Sequence, residues 1–268
     1  IGIETQSTGI SSGSITLQTG TTDAGTTGEL LLATGASTLG RAGRAGLIVG
    51  LGASGASPSL DVMGGDSKVH GGSVHIQSGS TVAAGLDDDT SSGYVAVTTG
   101  SNTHLGGSTG AVTVSTGTTV DGLSGRIELA TGASSKSSGA LLLRAGDAQT
   151  KGGDVQLFSG HSTNGESGDM IVQSAVAANS GSVVMTTGGA TRSSGLLTLH
   201  TGSARDGRSG SIQLASGQSS SQSGTLQLFS GDDDSSGPLA ITSGRGTGLS
   251  GTVTIGSGNA AVSGDVII

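Results

Sequence analysis

The stretch SGRIELATGASSKSSGALLLRAG, residues Ser124 to Gly146, contains one short pattern twice. Each copy opens on a glycine, Gly125 or Gly139, continues with a run in which aliphatic residues alternate with others, and closes on a second glycine seven residues later. Alternation with a period of two is typical of a β-strand with one buried face. The closing glycine and the small polar residues after it are typical of a turn.

The same pattern extends along the whole chain. When the opening residue is numbered zero, aliphatic residues occupy positions two and four, Ser or Thr usually occupies position six, and Gly usually occupies position seven. About eighteen runs, mostly about 13 to 15 residues apart, open at Gly13, Gly28, Ala45, Pro58, Gly72, Gly93, Gly110, Gly125, Gly139, Gly153, Gly168, Gly181, Gly195, Gly210, Gly224, Gly237, Gly251 and Gly264. Near-copies of this kind are typical of a repeat fold, whereas the strands of a β-sandwich carry individual patterns.

A glycine stands at one place in the turn before every third run, with one interruption. The members of this column are Gly25, Gly122, Gly165, Gly207 and Gly248. Runs three apart open about 42 residues from each other, as Gly153 and Gly195 do. The sequence therefore predicts an all-β fold, a parallel β-solenoid with three strands per coil, about six coils and no helices, continuous over residues 1–268. A coil of two strands is the alternative.

In this predicted solenoid, the aliphatic residues fill a narrow interior and the residues at the corners are small. Ser or Thr at position six is expected to hydrogen-bond to neighbouring coils, and Gly at position seven to adopt left-handed or extended backbone geometry. The 53 glycines, 1% aromatic residues and 11% charged residues are also typical of a disordered chain, because such a chain buries little apolar surface. The regular spacing of Val, Ile and Leu favours order.

Charge and composition exclude several functional classes. A net charge of −8 with 11 Lys and Arg provides no basic surface for nucleic acid or an anionic membrane. No apolar segment approaches the roughly 20 residues that span a bilayer, and the absence of cysteine excludes disulfides and thiolate metal sites. Histidines lack metal-ligand spacing, and no arrangement of a nucleophile with a base is identifiable. We therefore expect neither an enzyme nor a cofactor.

Three sets of residues are candidates for binding. The outward residues at position three of every third run form a predicted assembly face, and two exposed rings are candidates for stacking on a partner or a sugar. Two acidic turns are weaker candidates for calcium, since carboxylate oxygens are its preferred ligands. These sets are the assembly face Ile48, Ala96, Leu142, Val184 and Ile267, the rings Phe158 and Phe229, and the acidic residues Asp87, Asp88, Asp89, Asp232, Asp233 and Asp234.

The two ends of the chain resemble interrupted runs. Ile1, Ile3 and Thr5 match positions two, four and six, and Gly264 to Ile268 matches the first part of another run. Neither of these two runs carries a polar capping segment. Because solenoids normally cap their ends, this predicts either a segment of a longer chain or a subunit that stacks end to end.

The phrase SG-[IV]-x-[LV]-x-[ST]-G, found in SGSIQLASG from Ser209 and SGTVTIGSG from Ser250, resembles the long Ser/Gly/Thr-rich repeat proteins of unicellular algae and other protists. The resemblance covers nearly the whole chain and implies an extracellular or cell-surface structural role. The predicted function is a rod or filament component of a fibre, appendage, wall or matrix, whose partners are copies of itself or other structural chains. The alternative is an adhesive solenoid that binds ice or glycans.

Overall fold

The computed structural model describes residues 2–6, 12–38, 40–52, 58–81, 91–231, 234–258 and 263–267. Within these ranges the backbone forms no helix and no strand. Ser12 is the one described residue in an isolated β-bridge, and bends and short turns separate the runs. The runs are therefore irregular, extended segments.

The described residues contain no core, since no side chain among them is buried. The solvent-accessible area of the chain is 27347 Å² for a mass of 25.4 kDa. A compact protein of that mass exposes about 10,000 Å² and a fully unfolded chain about 37,000 Å². The exposed area is thus much closer to that of an unfolded chain.

The predicted parallel β-solenoid is wrong. Its three-strand coils require hydrogen-bonded sheets around a filled interior, and the described residues form neither sheets nor an interior. Each run and its turn, about fourteen residues together, supply two aliphatic side chains for burial, while the many glycines lose the most conformational freedom on ordering. The composition is also typical of a disordered chain. The structure is closer to that expectation than to the ordered fold that the regular spacing of Val, Ile and Leu favours.

The chain divides into two units, Ile1–Leu141 and Leu142–Ile268. Within the described part of each unit, runs alternate with turns in the way that the sequence pattern predicts. The division lies inside the run that opens at Gly139, although the repeat itself continues through it without a change of spacing.

Left-handed backbone geometry is confined to two turn glycines of the described residues. Gly25 has φ 113° and Gly106 has φ 78°. Gly25 belongs to the predicted turn column, but the position-seven glycines that the structure describes all lack positive φ. Of the two geometries expected at position seven, the left-handed one is therefore wrong. In the described ranges there is also no helix with the length and hydropathy to cross a membrane.

The structure predicts amide exchange that is fast almost everywhere. Protection is expected at Gly72 and Gly153, whose amides donate to backbone carbonyls, and not at Gly181 and Gly195, which open equivalent runs without such a bond. Hydrogen exchange followed by nuclear magnetic resonance on dilute protein measures this difference. Uniformly slow exchange along the runs would contradict the structure.

Candidate functional site

Positions two and four of every run carry Val, Ile, Leu or Met, and none carries a charged residue. We call these residues the aliphatic face. Because side chains two residues apart in an extended segment project to the same side, the two aliphatic residues of one run lie side by side. In the described runs their exposed fraction ranges from 42% at Val49 to 75% at Leu47.

Large apolar residues at the odd positions of the runs are more exposed. Their exposed fraction ranges from 75% at Leu31 to 92% at Ile267. Neighbours show the same difference: Leu141 on the aliphatic face is 57% exposed and Leu142 beside it is 79% exposed. Each run is thus two-sided, and the aliphatic face is its partly shielded side.

Backbone hydrogen bonds close four of the turns between the described runs. In each of these turns the amide of the opening glycine donates to the carbonyl of the position-seven glycine before it. These pairs are Gly72 to Gly65 at 2.7 Å, Gly93 to Gly79 at 2.9 Å, Gly153 to Gly146 at 3.0 Å, and Gly168 to Gly160 at 3.0 Å. Such a bond brings the end of one run next to the start of the following run.

The side chain at position six packs on the opening glycine of the next run. A methyl group added at the opening glycine would lie 3.1 Å from Ala145 at Gly153, 3.3 Å from Thr5 at Gly13, and 3.8 Å from Ser243 at Gly251. Eight of the nine half-buried residues in the described ranges hold position six: Thr5, Thr19, Ser78, Ala145, Ser174, Thr201, Ser230 and Ser243. Position six is therefore where the chain comes closest to being buried.

The hydroxyl groups at position six also bond within this corner. Thr5 donates from Oγ1 to the carbonyl of Gly13 at 3.1 Å, and Thr201 donates to the carbonyl of Gly210 at 3.2 Å. The sequence placed these residues correctly at the corner. The expected partner was wrong, however, because the acceptor belongs to the next run and not to a neighbouring coil.

Serine and threonine hydroxyls organise the turns themselves. The amides of Gly122 and Gly165, two members of the turn column, donate to Thr119 Oγ1 at 3.2 Å and to Ser162 Oγ at 3.0 Å. Side chains of this kind compete with regular secondary structure for backbone groups. Gly122 and Gly165 are thus part of local turns that form without stacked coils.

Two open grooves among the described residues lie between consecutive runs. Each lies between positions four to six of one run and the first positions of the next. The first encloses about 350 Å³ between Leu157, Phe158 and Ser159 and the segment Asp169, Met170, Ile171 and Val172. The second encloses about 400 Å³ between Leu32, Ala33 and Thr34 and the segment Ala45, Gly46 and Leu47.

The predicted assembly face consists of exposed residues, Ile48, Ala96, Leu142, Val184 and Ile267. Its arrangement as one column followed from the stacked coils, so the structure supplies no reason for these side chains to be aligned. Phe158 and Phe229 are 83% and 77% exposed, and Phe158 lines the first groove. Because the described residues have no interior, this exposure does not distinguish the two rings from the other side chains of the runs.

The calcium candidates lie mostly outside the described residues. This applies to Asp87, Asp88, Asp89, Asp232 and Asp233, while Asp234 is described and has an interaction partner. Among the described residues no three acidic or histidine side chains are grouped as a metal site would require.

The ion pairs are exposed and local. Arg126 pairs with Glu128 at 2.7 Å, Lys151 with Asp154 at 3.5 Å, and Arg144 with Asp147. Exposed pairs of this kind contribute about 0 to 1 kcal/mol each. They therefore fix the positions of charged groups beside the runs without holding the runs together.

Comparison with known protein families, with curated proteins and with solved structures finds no match to this chain.

The contact between the position-six side chain and the next opening glycine is the structural feature that sequence reasoning missed. Its signal was present in the sequence, because a small residue at position six and a glycine at position zero recur together. The spacing between them varies with turn length, as the separations of Gly65 from Gly72 and of Gly79 from Gly93 illustrate. A search for a fixed period therefore does not detect the pair.

We predict that Gly72→Ala opens its corner and that Gly65→Ala does not. A methyl group at Gly72 would lie 2.8 Å from the backbone nitrogen of Gly65, whereas a methyl group at Gly65 meets nothing within 4 Å. The measurement is the exchange rate of the residue 72 amide and the proximity of residues 65 and 72 in nuclear Overhauser spectra. Equal protection in both variants would show that the corner tolerates a side chain at either glycine.

Proposed function

We propose that this chain is a structural protein outside the cell, a component of a rod, filament, wall or matrix that assembles with other structural chains. One observation carries the proposal: the aliphatic face recurs in every run, and none of its described residues is buried. Apolar surface repeated on this scale favours association, because covering it removes it from water.

The free backbone of the runs supports the same function. The backbone hydrogen bonds that the described residues make to one another all lie in turns. Extended segments with unpaired amides and carbonyls are templates for pairing with another chain. A run therefore offers a partner both apolar side chains and backbone groups.

The extracellular placement rests on the resemblance of the repeat to Ser/Gly/Thr-rich surface proteins. A chain of small residues without cysteine and with few charged groups is compatible with a structural material. Its mechanism is mechanical, since the many equivalent runs distribute load over many weak contacts.

A second candidate is glycan binding at the groove that Phe158 lines. Its exposed ring offers an apolar surface on which a sugar can stack, and Asp169 across the groove provides a hydrogen-bond acceptor for hydroxyl groups. Phe229 has an equivalent position in its own run but lines neither of the two grooves.

For the structural function, we expect fibrous particles to form as protein concentration rises. Higher ionic strength should promote their formation, because salt screens the repulsion between chains of net charge −8 while apolar contacts remain. Sedimentation velocity and negative-stain electron microscopy measure this. A chain that stays monomeric at high concentration and 0.15 M salt contradicts the structural function.

For glycan binding, Phe158→Ala should abolish retardation on polysaccharide gels, and Phe229→Ala should leave it unchanged. Affinity electrophoresis against a panel of cell-wall polysaccharides measures both variants. If the unmodified chain is not retarded by any of them, or if both variants lose retardation equally, the groove is not a glycan site.

A further inference from the structure

We infer that the partner that covers the aliphatic face is a second copy of this chain, with the runs of one copy lying against the runs of the other. The inference rests on the proposed structural function and names the partner for it. Four features of the described residues support a self-partner: the area of the face, its lack of charge, its spacing and the free backbone of the runs.

The aliphatic face is large enough to hold two chains together. Full burial of an aliphatic side chain corresponds to roughly 60–120 Å² of apolar area, and the face residues retain about half of this exposed. Summed over two face residues in each of about eighteen runs, the exposed apolar area is roughly 1000–2500 Å² per chain. A stable interface needs about 800 Å² from each partner. A copy that engages only part of the runs is therefore sufficient.

The face also presents no charge that association would bury. Every Asp, Glu, Lys and Arg lies in a turn or at an odd position of a run, as Arg126, Glu128 and Asp154 do. Burying an unpaired charge is costly, so charged groups at positions two and four would oppose close contact. Two aliphatic faces approach each other without this penalty.

The spacing of the runs selects a chain with the same repeat. A partner that engages one run gains further contacts only if its next apolar pair falls opposite the next run, about 14 residues on. Repeated contacts on linked sites raise the effective concentration of each following contact. A second copy satisfies this condition for many runs at once.

A partner with the same repeat can also bind in a staggered position. Because the runs are near-copies, a chain displaced by one run meets the same pattern again. A contact that repeats with a displacement does not close on itself and extends into an open assembly. Self-association through the aliphatic face thus accounts for a filament without a specialised end.

The backbone supplies the remaining contacts. The amides of the described runs make no hydrogen bond to other described backbone groups, apart from the opening glycines Gly72, Gly93, Gly153 and Gly168, whose amides donate at the corners. A second extended run carries donors and acceptors at matching intervals and pairs with these groups edge to edge. The resulting order belongs to the pair of chains, because neither chain forms it alone.

Two variants, each with six substitutions, test the inference. Each substitution in the first variant is matched in the second by a substitution of the adjacent residue in the same run. The first replaces six residues of the aliphatic face with serine: Leu30→Ser, Val49→Ser, Leu141→Ser, Val172→Ser, Val183→Ser and Leu197→Ser. The second replaces the six outward neighbours: Leu31→Ser, Ile48→Ser, Leu142→Ser, Ile171→Ser, Val184→Ser and Leu196→Ser. No residue in either set is buried, so neither variant removes a core.

The readout is the midpoint concentration of self-association, measured by sedimentation at fixed salt. Corner amide exchange at Gly153 and Gly168 checks that the local turns remain. We expect the face variant to raise the midpoint at least about tenfold and the outward variant to change it less than about threefold, since burial of the face provides the apolar gain. The second set contains Ile48, Leu142 and Val184 of the predicted assembly face, so the comparison tests that prediction too.

The other possible results distinguish a failure of the self-partner from a failure of the structural function. If the outward variant weakens association and the face variant does not, the aliphatic face is not the contact and the inference is overturned, although the structural function stands. Equal effects from both variants overturn it as well, because association then follows overall hydropathy. If the unmodified chain never associates, the structural function itself fails.

Discussion

The contact between the position-six residue and the opening glycine of the next run is the interaction on which the described structure depends. Among the described residues it places eight of the nine half-buried side chains at the corners, and it joins most runs to the next. Because its two sides are eight residues apart at Thr5 and Gly13 and nine apart at Thr201 and Gly210, closing such a loop costs less entropy than closing a coil of about 42 residues. The corners therefore form locally, and each is independent of whether any distant run is nearby.

The same local character leaves the aliphatic face without a cover. Stacking one coil on another would require contacts between residues about 42 apart, and two aliphatic side chains per run provide a small gain for ordering that many residues. Hydroxyl groups such as those of Thr119 and Ser162 bind nearby amides instead. Thus the described chain satisfies its turns and leaves its runs exposed, and the proposed function in assembly rests on this exposure.

Several features of the site follow from sequence alone. The pairing of Ile127 with Leu129 on one side of a run and the position of Thr201 at a corner are both predictable from alternation and turn composition. The groove beside Phe158 is not, because it depends on the angle between two consecutive runs. Likewise, the corner at Gly72 requires knowledge of which glycine approaches Gly65, and the variable turn lengths conceal this in the sequence.

The sequence by itself determined the repeat, the positions of the turns and the two-sided character of each run, because these depend on residues that are close together in the chain. Only the tertiary structure decided that the runs do not stack into coils. Stacking depends on whether the free energy gained by long-range burial exceeds the cost in conformational entropy. A regular sequence pattern does not show which of the two is larger. A regular repeat therefore predicted a solenoid where the described chain forms corners joined by exposed, extended runs.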